Sequence, residues 1–151
     1  MIRKTKAKLL ELYKQHEEVA NYLIVGGLTT VISLAVKYAL LFTVLDASNE
    51  GQLQIAIAIS WIISVTVAYV LNRKFVFKSK EKNIALEAAK FYGARIGTYI
   101  VEAGLMWFFI NFLSLNSDAW VAVITLIVQI IIIVGNYILS KLFVFTKKSS
   151  K

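Results

Sequence analysis

Four long apolar runs, near 21–45, 53–77, 91–113 and 119–145, constrain this chain more than any other feature of it. Each reaches the ~20 residues that a helix needs to cross a ~30 Å hydrocarbon layer. The runs lack a polar–apolar alternation, so they do not read as barrel strands. Hydrophobic residues make up 58% of the 151, against ~45–50% in a soluble domain. A water-soluble core of this size has no room for the excess. The expected fold class is all-α: a polytopic membrane protein with four transmembrane helices. Residues 1–20 are too polar for a signal peptide, and no small-residue cleavage pattern accompanies the first run.

Lysine and arginine give the orientation. Residues 1–20 hold Arg3, Lys4, Lys6, Lys8 and Lys14. The middle loop and its flanks hold Arg73, Lys74, Lys78, Lys80, Lys82 and Lys90, and the C-terminal end holds Lys141, Lys147, Lys148 and Lys151. The loops near 46–52 and 114–119 hold none and carry Asp46, Glu50 and Asp118. Basic loops stay in the cytoplasm, so both termini and the middle loop are expected there. The net charge of +8 then reflects topology and attraction to lipid headgroups, and nucleic acid is not an expected partner. Two flanking segments, 6–20 (Leu9, Leu12, Tyr13, His16, Val19) and 83–91 (Ile84, Ala88, Phe91), have the helical spacing of interfacial helices. The resulting organisation is an amphipathic segment at 1–20, a four-helix membrane domain at 21–146 and a basic tail at 147–151.

The chain writes one ending twice. "LNRKFVFKSK" at 71–80 returns as "LSKLFVFTKK" at 139–148, with Phe75-Val76-Phe77 over Phe143-Val144-Phe145. Further upstream, "NYLIVGGLTT" at 21–30 lies over "KFYGARIGTY" at 90–99 with an offset of 69. The reading is two tandem helix hairpins. A two-span unit returns to its starting side, so the copies are parallel rather than inverted.

Several polar residues fall inside the runs. A charge within a span is costly and needs a reason. Arg95, Thr98, Tyr99 and Glu102 share one face of the third helix at i, i+3, i+4, i+7. Gly93, Gly97 and Gly104 would let a neighbouring helix approach. Thr29, Thr30, Ser33 and Lys37 give the first helix a similar stripe, and Thr125, Gln129, Asn136 and Ser140 give the fourth one. The second helix has Ser60, Ser64 and, at its end, Asn72. These stripes are expected to converge on a polar cavity. Each residue also has a plain structural reading. Arg95 and Lys37 can snorkel, Glu102 can serve in an ion pair, and Asn72 and Asn136 can hold helices together by hydrogen bonds. Zero Cys and a single His offer no metal cluster. No nucleophile with a base and no phosphate-cradling loop is present, so no catalytic residues and no cofactor are expected.

The stretches "NYLIVGGLTTVISLAVKYALLF", "LNRKFVF", "AKFYGARIGTYIVEAGL" and "GNYILSKLFVF" together resemble the GtrA-like family of small four-helix bacterial membrane proteins. The matching residues are Gly26, Gly27, Asn72, Arg73, Phe75, Phe77, Arg95, Asn136, Tyr137, Lys141, Phe143 and Phe145. Ala68 stands where the family often has Asn, and Lys37 is unusual in the first helix. The resemblance implies a multi-pass protein of the bacterial cytoplasmic membrane that flips a polyprenyl-phosphate-linked sugar for glycosylation of teichoic acid or another surface polysaccharide. The alternative is a non-transporting subunit that presents substrate to a membrane glycosyltransferase, and a small proton-coupled exporter is a third reading. With that ligand, Arg95, Lys37, Arg73 and Lys74 are the expected lipid-phosphate contacts, since phosphate calls for Arg or Lys. Asn72, Tyr99, Glu102, Gln129, Asn136 and Ser33 would line the sugar cavity. Lys37, about 21 Å along its helix from Leu23 at 1.5 Å per residue, would be an outer phosphate station. Expected partners are the lipid-linked sugar, membrane lipids, a glycosyltransferase and further copies of the chain in a homo-oligomer.

Overall fold

A computed structural model describes residues 13–115 and 117–146. Residues 6–12 of the expected 6–20 segment and the whole 147–151 tail lie outside these. The described residues form four long helices: α1 (Glu17–Thr43), α2 (Glu50–Leu71), α3 (Ile84–Trp107) and α4 (Asp118–Leu139). The last three each run on into one π-helical turn, at Asn72–Val76, Phe108–Phe112 and Ser140–Val144. Among the described residues three helices are long and apolar enough to cross a membrane: Glu17–Thr43, Glu50–Val76 and Asp118–Val144. No more than 28% of any of their most apolar windows is buried, so most of the apolar surface faces outward, as lipid requires and water forbids. The helix α3 stands apart because it carries Glu87, Lys90, Arg95 and Glu102.

The chain divides into two compact units, Met1–Lys78 and Ser79–Lys151. Each is a helix hairpin, α1 on α2 and α3 on α4. The two hairpins are built alike. Tyr22 meets Phe77 with ring centroids 6.5 Å apart, and Phe91 meets Phe145 at 5.8 Å. Position 22 corresponds to 91, and 77 to 145, by the offsets of the sequence repeat. Thr29 and its counterpart Thr98 are both buried, as are Val76 and Val144. The π turn explains how the aromatic pairs close. Phe77 N–H bonds the Asn72 carbonyl at 2.9 Å and Phe145 N–H the Ser140 carbonyl at 2.8 Å. One wide turn of this kind changes the angle at which the next side chain leaves the helix. It turns the last Phe of each Phe-Val-Phe inward and leaves the first, Phe75 and Phe143, exposed.

Local chemistry sets the helix starts. The Asn49 side chain accepts from Gln52 N–H at 3.1 Å, and Asn83 from Leu86 N–H at 3.0 Å. Each supplies a partner for a helix-start donor that has none within the helix. Because Asn83 starts α3, the expected separate interfacial segment at 83–91 is the first two turns of that helix. Its inward face is Glu87 and Phe91, while Ile84 is exposed. In the 44–49 turn, the Asp46 carboxylate accepts from both the N–H and the hydroxyl of Ser48, each at 2.8 Å. These bonds hold its pKa below the ordinary 3.8. The α3–α4 core is a stripe of Ile124, Val128 and Ile132 packed on Leu105, Met106 and Phe109.

Candidate functional site

In the second hairpin the polar residues of α3 meet those of α4. Thr98 Oγ1 donates to Asn136 Oδ1 at 2.9 Å. Two turns on, Gln129 Nε2 donates to Glu102 Oε1. These bonds tie the helices where lipid supplies neither water nor a hydrophobic drive between them. Below them, toward the start of α3, the Arg95 guanidinium lies 4.7 Å from the centroid of the Phe91 ring. Phe91 is fully buried and is held in turn by Phe145. A guanidinium over an aromatic face is held by cation–π attraction, which leaves the edges of its fork unengaged. No described residue forms a hydrogen bond or ion pair with the Arg95 guanidinium, although its backbone carbonyl lies 3.0 Å from the Thr98 hydroxyl. The result is a cation seated on an aromatic ring beside a polar ladder, with no anionic partner among the described residues.

The first hairpin has the same frame with a different polar link. Ser64 Oγ donates across the hairpin to the Thr29 carbonyl at 2.8 Å. Ala68, the counterpart of Asn136, has no side chain to bond Thr29. At position 26, the counterpart of 95, stands Gly26. The equivalent cation is therefore missing.

The other expected site residues fall as follows. Asn72 is buried at the head of its π turn. Its Nδ2 donates to the Ala68 carbonyl at 2.7 Å, and its buried Oδ1 has no partner among the described residues. Arg73 is half-buried and engaged by neighbours. Lys74 Nζ lies 5.2 Å from the centroid of the Phe75 ring. Lys37 is half-buried with Nζ 4.9 Å from the centroid of the Tyr38 ring. Ser33 is half-buried. Tyr99 is 64% exposed, because one residue past Thr98 is a 100° rotation away from α4. Gly93, Gly97 and Gly104 were expected to admit a neighbouring helix, but open space lies where a Cβ would be.

Two contacts escaped the sequence reading. Glu87 is 2% exposed and accepts from the Ser79 hydroxyl, which folds the loop back on α3. Its repeat counterpart, Glu18, gave the available signal: a carboxylate in the same register of both copies. The Ser64 bond to a backbone carbonyl has no motif.

Long apolar helices facing outward, paired in like hairpins with an arginine and a glutamate inside one of them, define a multi-pass helical membrane protein. Within that class, the family described as GtrA/DPMS, transmembrane domain, matches residues 21–145. The chain belongs to this family. It is 35% identical over 150 residues to the cell wall teichoic acid glycosylation protein GtcA of Listeria monocytogenes serovar 1/2a, covering 97% of each chain. To the protein of the same name in Listeria innocua serovar 6a it is 38% identical over 132 residues, 84% of this chain and 83% of that one. No solved structure matches it.

Proposed function

We propose that this protein flips a polyprenyl-phosphate-linked sugar across the bacterial cytoplasmic membrane for glycosylation of a cell-wall polymer such as teichoic acid. The names of the Listeria relatives support the process. The observation that carries the transport reading is Arg95, held on Phe91 with no anionic partner among the described residues. An uncompensated arginine in a span costs about 2.5–3.5 kcal/mol. A phosphate that accepts its fork offsets that cost. Glu102, Gln129 and Asn136 then offer sugar contacts, and Lys37 of the first hairpin a later phosphate contact. In this reading α3 and its π turn, 84–112, form the fourth span. Both termini and the 77–83 loop are cytoplasmic, the hairpins run parallel, and the protein performs no covalent chemistry.

A second reading is a membrane subunit that presents the lipid to a glycosyltransferase. The relatives are named for glycosylation rather than transport, and the Thr98–Asn136 and Glu102–Gln129 pairs satisfy one another, which favours this reading. Purified protein in liposomes decides between them. Radiolabelled polyprenyl-phosphate sugar should cross with the intact protein, and should stop crossing with Arg95→Ala at equal incorporation. Binding without crossing favours the presenting subunit. Crossing that is unchanged in Arg95→Ala removes Arg95 from the mechanism.

A further inference from the structure

The first hairpin also carries a cleft whose key residues are replaced at the corresponding positions of the second. This cleft, of about 440 Å³, runs along the seam between α1 and the end of α2. Its wall is apolar, built by Ile24, Leu28, Leu71 and Phe75, and its rim holds Glu17, Lys74 and Lys78. Lys78 Nζ is fixed at 3.0 Å from Glu17 Oε1. Lys74 has its ammonium beside the Phe75 ring and no carboxylate partner among the described residues. The rim therefore carries one positive charge in excess.

We propose that this cleft is the seat of one anionic glycerophospholipid of the surrounding bilayer. Its phosphate lies between Lys74 and Lys78, and an acyl chain lies along Ile24 and Leu28. Three observations converge on that occupant. The cleft passes from hydrocarbon-lined to cationic over its length, as a phospholipid passes from chain to phosphate. The single surplus charge matches a single phosphodiester. And the repeat supplies an internal comparison. The positions of Lys74 and Lys78 are Leu142 and Thr146 in the second hairpin, and those of Ile24 and Leu28 are Gly93 and Gly97. One frame thus has both cations and a complete apolar wall, and the other lacks the two cations and the α1 side of the wall, keeping only Leu139 and Phe143 at the positions of Leu71 and Phe75. A topology signal alone would need lysines but no wall beneath them. This seat takes Lys74 out of the substrate path, and it stands whether or not Arg95 binds the transported lipid.

The test is native mass spectrometry of the protein released from nanodiscs with equal phosphatidylglycerol and phosphatidylcholine. One phosphatidylglycerol should stay bound. A basic residue at a membrane surface contributes about fivefold in anionic-lipid binding, so Lys74→Gln with Lys78→Asn should weaken retention about 25-fold. Asn suits position 78 because its backbone is left-handed, with φ of 48°. Leu28→Trp, which fills the wall, should also displace the lipid, while Glu17→Gln should tighten it. Lys80→Gln with Lys82→Gln, in the same loop but outside the cleft, should retain it. Equal retention of both phospholipids, or retention unchanged in the Lys74/Lys78 variant, overturns the proposal. So does displacement by equimolar polyprenyl phosphate, which would make the cleft a substrate seat and leave the transport reading standing.

Discussion

Replacing Phe91 by Leu separates the part of the site that grips Arg95 from the part that only packs. The repeat provides the control, Tyr22→Leu. Each variant removes a corresponding aromatic contact, Phe91–Phe145 at 5.8 Å or Tyr22–Phe77 at 6.5 Å, about 0.5–1.5 kcal/mol in either hairpin. Phe91 also lies under a cation, at 4.7 Å, whereas in the first hairpin the counterpart of Arg95 is Gly26. A cation–π contact contributes about 0.5–1 kcal/mol when exposed and ~2 when desolvated. Half-buried Arg95 places it near 1 kcal/mol. Unfolding by SDS in mixed micelles should therefore show Phe91→Leu less stable than Tyr22→Leu by about that amount. Release of the guanidinium lowers the fraction poised for phosphate. An energy of about 1 kcal/mol is roughly a fivefold loss in apparent affinity. Calorimetric titration with polyprenyl phosphate should show that loss for Phe91→Leu and none for Tyr22→Leu. Equal affinities in the two variants would refute the idea that Phe91 positions Arg95.

Three further outcomes follow from the geometry. A double-mutant cycle of Thr98→Val and Asn136→Leu should give a coupling of about 0.6 kcal/mol, at most ~1.7, as for hydrogen bonds between membrane helices; zero coupling in SDS unfolding would deny the bond. Ser114 has φ of 57°, so Ser114→Gly should raise the thermal midpoint; the left-handed cost of about 1–2 kcal/mol outweighs glycine's extra chain entropy of about 0.5–1. Asp46 has a lowered pKa through its bonds to Ser48, so its contribution is present above the ordinary carboxylate value and disappears as pH falls through the folded value; carboxyl-carbon NMR should place its titration below 3.8, and Ser48→Ala should move it up.

Much of the fold was legible because bilayer thickness translates directly into run length. The double Phe-Val-Phe ending likewise marked two hairpins. What the runs do not mark is where a helix leaves the hydrocarbon. α3 begins at Ile84 rather than 91 because Asn83 caps it there. The polar stripe on α3 was visible as spacing, but spacing does not give the partner. Thr98 found Asn136 and Glu102 found Gln129 because of the way α3 and α4 cross, whereas Tyr99, on the same nominal stripe, turned outward. The π turns were invisible, since a single wide turn leaves composition unchanged and, at the end of a helix, shifts the period of no residues beyond it. Glu87 was hidden because a carboxylate near a lysine-rich loop reads as solvated until Ser79 folds over it.

The central claim is contact between the Arg95 guanidinium and the phosphate of the carried lipid. Solid-state NMR of protein labelled with nitrogen-15 arginine, in bilayers containing the polyprenyl-phosphate sugar, measures it through phosphorus dephasing of the guanidinium signals. The account predicts dephasing of one arginine resonance, lost in Arg95→Lys and kept in Arg73→Lys. An Arg95 signal that stays undephased while the lipid is bound would contradict it.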